Sequence, residues 1–140
     1  MKAAVVYWSG TGNTAAMADL VLEGMKSAGA DADLIECNSV TDLSAYEAIA
    51  FGCPAMGSEQ LEDSEFEPMF DSVKKSLGGK RVGLFGSYGW GDGEWMRNWT
   101  ERMQKAGATV VDGEGVIANE SPDDAAKAAC EELGKKLAAV

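Results

Sequence analysis

Short apolar runs alternate along this chain with segments of helical periodicity, and several of those runs show no in/out alternation of their own. A strand with one face in water alternates apolar and polar residues. Runs that lack the alternation fit strands covered on both faces, as in a parallel sheet wrapped by crossover helices. The runs fall at residues 3–8, 32–36, 48–53 and 81–86, with a last one around 109–117 that residues 112–115 threaten to interrupt. Between them Met17, Leu20, Val21, Gly24 and Ala28 share one helical face, stopped by Gly29. A second helix carries Phe66, Met69, Phe70, Val73 and Leu77, and a third carries Trp95, Trp99 and Met103. The last is read with Ser121 as cap, Pro122 at its first position and a stripe of Ala126, Cys130, Leu133 and Leu137. The expected architecture is α/β: a doubly wound five-stranded parallel sheet of order 2-1-3-4-5, with helices on both faces. At 140 residues the chain is expected to form a single domain over 1–140.

In that order the winding reverses between strands 1 and 3, and ligands bind beyond the carboxyl ends of the strands at the reversal. Strands 1, 3 and 4 are then neighbours, and the chemistry of the segments that follow them belongs to one site. After strand 1 come Ser9, Gly10, Thr11, Gly12, Asn13 and Thr14, glycines and hydroxyls without a lysine or arginine. At the start of a helix such a turn presents unpartnered N–H groups and the positive end of the helix dipole, which suits a phosphate monoester. After strand 3 come Pro54, Ala55, Met56, Gly57, Ser58 and Glu59; after strand 4 come Ser87, Tyr88, Gly89, Trp90 and Gly91. Met56 and Trp90 can flank a flat ring, Glu59 can accept from an imide N–H, and backbone N–H groups of the glycine-rich segment can donate to ring carbonyls. Phosphate, flat heterocycle, imide and carbonyls together describe flavin mononucleotide (FMN).

Composition narrows the function from the other side. There is no histidine, so imidazole acid–base chemistry and most transition-metal sites are not expected. Cys37, Cys53 and Cys130 are far apart, with no CxxC pair, and are read as reduced and mostly buried. With 23 acidic and 12 basic residues the net charge is −11, which disfavours nucleic acid and anionic membrane and favours a basic protein partner. No apolar stretch is long enough for a membrane span and no leader is read, so a soluble, cytoplasmic protein is expected.

Residues 7–14 (Tyr7-Trp8-Ser9-Gly10-Thr11-Gly12-Asn13-Thr14), Gly52-Cys53 with Ala55-Met56-Gly57, and residues 83–93 with Trp95-Met96 resemble the short-chain flavodoxins, particularly the clostridial type of anaerobic bacteria. The resemblance runs over essentially the whole chain. It implies a flavodoxin-like fold and one non-covalent FMN, which carries single electrons at low potential between redox proteins by shuttling between semiquinone and hydroquinone. By position, Ser9, Thr11, Gly12, Asn13 and Thr14 would hold the phosphate, Met56 and Trp90 would flank the ring, and Glu59 would meet its N3–H. Ser87, Gly89 and Gly91 would complete the pocket. The resemblance also implies that the Gly57-Ser58 peptide flips on one-electron reduction, so that the Gly57 carbonyl accepts from N5–H; Ser58 departs from relatives that carry Asp there.

Glu59, Glu62, Asp63, Glu65 and Glu67, with Asp92 and Glu94, are expected to ring the cofactor, to oppose its full reduction and to steer basic redox proteins to it; a monomer is expected. Residues 10–15 formally fit the GxGxxA dinucleotide fingerprint, but their hydroxyls suit a terminal phosphate better than a diester. A response-regulator receiver lacks its acids here, a Walker loop lacks its GK[ST], and a cysteine phosphatase lacks its arginine. The remaining alternative is an enzyme on the same fold, an FMN-dependent NAD(P)H reductase of quinones or flavins.

Overall fold

A computed structural model describes residues 2–10, 12–56, 60–89 and 91–139. Its elements run β1 (Lys2–Tyr7), α1 (Asn13–Ser27), β2 (Asp31–Glu36), β3 (Ala48–Gly52), α2 (Phe66–Val73), β4 (Arg81–Tyr88), α3 (Glu94–Lys105), β5 (Thr109–Val110), β6 (Val116–Asn119) and α4 (Asp124–Ala138). All strand pairs are parallel and the order is β2-β1-β3-β4-β5, with β6 also paired to β4. The fifth position is therefore shared by two short strands, because residues 111–113 turn out of line with Asp112 at φ 63°.

Successive residues of the inner strands enter two separate cores, which is why the runs read as continuously apolar. Ala3, Val5, Ala48, Ala50 and Phe85 face α1 and α4; Ala4, Val6, Ile49, Phe51, Val82 and Leu84 face the layer of α2 and α3, where Phe66, Phe70, Trp95 and Trp99 are buried. Small strand residues predominate under α1 and α4, and the two helices also approach each other closely. A Cβ on Gly24 would lie 2.1 Å from the Glu131 carbonyl oxygen, and one on Gly134 would lie 2.1 Å from that of Val21.

Two local expectations need correction. Ser121 does not cap α4: Asp123 does, with extended backbone and its carboxylate accepting the Ala126 N–H at 2.8 Å. And β4 continues through Ser87 and Tyr88, because β6 supplies Ala118 and Asn119 as their ladder partners. Among the described residues no helix is long and apolar enough to cross a membrane.

Candidate functional site

The turn between β1 and α1 is built to close on itself without consuming the helix end. Gly12 takes φ 97°, a left-handed conformation open to glycine, and donates its N–H to Ser9 Oγ at 3.0 Å. No side chain caps α1 among the described residues, and its first turn holds no acid, so the positive end of the helix dipole is left for an anion. Thr14 is buried: its hydroxyl lies 3.3 Å from Ser87 Oγ and accepts a long bond from the Ser87 N–H at 3.4 Å, joining the first segment to the third.

The second segment hangs from β4. Cys53 donates to the Phe85 carbonyl (3.1 Å) and Ala55 to that of Ser87 (3.0 Å), while Met56 donates to the Gln60 carbonyl (2.8 Å) across an isolated antiparallel bridge. Met56 is 36% exposed, a high value for a large apolar side chain tethered in this way. The third segment is stiffened from below, where Tyr88 packs on Trp95 with centroids 5.6 Å apart and the Trp95 indole donates to the Cys53 carbonyl at 3.2 Å. Tyr88 therefore both packs inside the fold and faces the site.

These segments enclose a cleft of about 540 Å³ lined by Gly10, Asn13, Pro54, Ala55, Met56, Ser87, Tyr88 and Gly89, together with Trp8, Glu120 and Ser121. Its size lies within the roughly 300–1,000 Å³ usual for cofactor sites. Ser9 lines a smaller cavity of about 120 Å³ behind the turn, with Tyr7, Trp8 and Cys37. Gly12 and Thr14 belong to the turn and the start of α1, and neither they nor Gly91 line the cleft. Thr11, Gly57, Ser58, Glu59 and Trp90, and with them the peptide flip, lie outside the described residues.

Trp8, Glu120 and Ser121 were not among the expected site residues. Trp8 reads as the end of the first strand, and Ser121-Pro122 as the start of a helix, which left all three out. The signal was present, because residues 120–121 follow the last strand and its carboxyl end faces the same edge. Glu120 stands at φ 55°, uncommon for a residue with a side chain, and donates its N–H to the Tyr88 carbonyl at 2.7 Å, fixing the rim of the cleft.

Among the described residues, the lining contains no lysine or arginine and one carboxylate, Glu120. The acidic ring is thinner than expected. Glu62 is 5% exposed and turned inward; Glu67 holds Arg102 in a two-pronged pair at 2.6 and 2.8 Å; Glu65 accepts the Trp8 indole N–H at 3.1 Å; Asp92 pairs with Arg97 at 3.0 Å. Glu65 and Asp92 make these contacts at the surface, and Asp63, Glu94 and Glu120 are exposed as well.

Burial pushes Cys37 up to about 11 and Cys130 up to about 12, and drives Cys53 higher still, so all three thiols stay protonated and unpaired. Among the described residues no group of three or more potential ligands could hold a metal ion.

Among the described residues, a helix end with no side-chain cap, a cleft of cofactor size without cations, and an apolar platform of Pro54, Ala55, Met56 and Tyr88 fit a molecule with a phosphate at one end and a flat ring at the other. Comparison with known proteins identifies that molecule. The Flavodoxin family model matches residues 5–134. The flavodoxin of Megasphaera elsdenii is 52% identical over 136 residues, 96% of each chain, and that of Clostridium beijerinckii is 47% identical over 136 residues, covering 96% of this chain and 97% of the relative. The solution structure of two-electron reduced Megasphaera elsdenii flavodoxin superposes with a TM-score of 0.88 at 49% identity, covering 97% of this chain and 98% of that one. With the fold, the cleft and these matches in agreement, the chain belongs to the flavodoxin family, the FMN-dependent carriers that pass electrons between redox proteins and are not themselves enzymes.

Proposed function

We propose that residues 9–14, 54–59 and 87–91 hold FMN in the cleft, the phosphate at the start of α1 and the ring against Met56 and Trp90. A single domain over 1–140 would carry the whole site. The observation that carries this reading is the convergence of segments after β1, β3 and β4 on a cation-free cleft at the winding reversal. When bound, FMN supplies the capacity to take up and release electrons one at a time. The protein's part is to bind and orient. The N-terminus of α1 and the hydroxyls of the turn meet the phosphate without neutralising it, so its charge opposes further negative charge on the ring. Pro54, Ala55 and Tyr88 exclude water from one side of the cleft, while the exposure of Met56 marks the edge that a partner can reach.

The exposed acids Asp63, Glu94 and Glu120, within a net charge of −11, support basic redox proteins as donors and acceptors docking near this edge. The protein would act as a monomer, and three unpaired, protonated thiols support a cytoplasmic location. An anaerobic reductive titration tests the carrier reading. A distinct half-reduced spectrum should accumulate before full bleaching, and mixing with NAD(P)H alone should leave the flavin oxidised. Rapid direct bleaching by NAD(P)H would instead support the reductase alternative. Raising ionic strength should slow electron transfer to a basic partner; an unchanged rate would remove the electrostatic docking.

A further inference from the structure

Glu62 lies outside the cleft, two residues beyond the Met56–Gln60 bridge, and is 5% exposed. A buried carboxylate is costly unless its lone pairs are met, and here they are met entirely by local donors. Oε1 accepts the N–H groups of Glu65 (2.7 Å) and Phe66 (2.8 Å), while Oε2 accepts the Ser64 N–H (2.8 Å) and the Ser64 hydroxyl. Burial alone would raise its pKa, but these four bonds outweigh it and hold the carboxyl below the usual glutamate range. Glu62 makes no salt bridge with any described residue.

The backbone of the same residue reaches the cofactor side. Glu62 N–H donates to Cys53 Sγ at 3.3 Å. Cys53 is the buried residue between the end of β3 and Pro54, the first residue of this segment to line the cleft: its N–H is held by Phe85, its carbonyl by the Trp95 indole, and its thiol is 3.6 Å from the Pro54 carbonyl oxygen. Glu62 thus fastens the start of α2, the end of β3 and the chain returning from Gln60 to one point. Only residues 57–59 separate Met56 from Gln60, and a displacement of Gln60 passes to Met56 through their 2.8 Å bond.

We propose that Glu62 is a positioning residue for electron transfer: it fixes the far stem of the loop bearing Met56, and so governs how tightly FMN is held and how far apart its two one-electron potentials lie. The proposal rests on the reading of Met56 as a cofactor contact. A residue that only capped α2 would affect folding and leave those two properties alone.

The test compares Glu62→Gln with Asp63→Asn, which removes the same charge from an exposed neighbour. FMN affinity is read from fluorescence quenching, the potentials from spectroelectrochemistry of the holoprotein, and loop order from amide exchange of Met56 in FMN-free protein. The glutamine amide points N–H against N–H. Glu62→Gln should therefore weaken FMN binding about tenfold, the scale of one lost charge-assisted bond, alter the gap between the potentials, and speed Met56 exchange. Asp63→Asn should shift both potentials together and leave Met56 exchange unchanged. If Glu62→Gln lowers folding stability yet matches Asp63→Asn in affinity, gap and exchange, the proposal is overturned. Should that variant fail to fold, Ser64→Ala removes one hydroxyl bond and should move the same readouts in the same direction by a smaller factor; an unmoved gap there overturns it equally. A wild-type protein that binds no FMN would instead overturn the cofactor reading on which the proposal rests.

Discussion

Helices α1 and α4 have the same length, 15 residues, lie side by side on one face of the sheet and begin at the same edge, yet their first turns are finished in opposite ways. The start of α4 is sealed from within: Asp123 caps it and Asp124 adds a second acid. α2 is sealed by the buried Glu62. The start of α1 has no side-chain cap among the described residues and no acid in its first turn. The start of α3 also lacks a side-chain cap but carries Glu94 in its first turn, so among the described α-helices α1 alone has neither a cap nor an acid. Such an end suits an anion, and under the proposed function the phosphate of FMN would complete it.

Giving α1 the kind of ending that α4 has should break the comparison most severely. Asn13→Asp places a carboxylate at the proposed phosphate site and should weaken FMN binding about a hundredfold, read by fluorescence titration. The same substitution should raise the stability of the FMN-free protein by about 0.5 kcal/mol in urea, because the acid favours the helix dipole. Loss of affinity without that gain would show that α1 is not electrostatically unfinished.

Next in size is the contact that sets the two helices side by side. Gly24→Ala drives a methyl group into the Glu131 carbonyl and should cost about 1–3 kcal/mol in chemical denaturation. Opening α4 instead should be milder: Asp123→Ala should lower stability by about 1 kcal/mol with FMN affinity unchanged, and Asp123→Asn, which keeps the cap, should restore most of it.

The smallest effect concerns α2 and pH. The Glu62 pKa is lowered in the folded state, so its stabilisation is fully present above the unfolded glutamate value of 4.5 and is lost as pH falls through the lower folded value. In Glu62→Gln the acid limb of a stability–pH profile should therefore be shallower below about pH 4.5. An identical limb would mean that the four donors contribute nothing to folding.

What could be read without coordinates follows from local properties. Periodicity gave the elements because Val5, Ile49 and Leu84 sit between two covered faces and each helix buries one stripe. The turn at residues 9–14 was legible because its meaning lies in adjacent residues. Glu62 was not: in sequence it is one of five acids within nine residues, and only its burial separates it from Asp63 beside it. Ser121 misled for a related reason. Both Ser121 and Asp123 are acceptable caps, and the choice depends on where β6 releases the chain at the edge of the sheet.

The sequence by itself determined the order of strands and helices, the cation-free turn and the family, since each rests on residues near one another in the chain. Only the tertiary structure decided that β6 extends β4 through Tyr88, that Glu120 and Ser121 close the cleft, and that most of the acids after β3 are paired or turned inward. Those outcomes are set by bonds between residues far apart in sequence, such as Thr14 to Ser87 and Arg102 to Glu67, whose energies exist only once the layers have met.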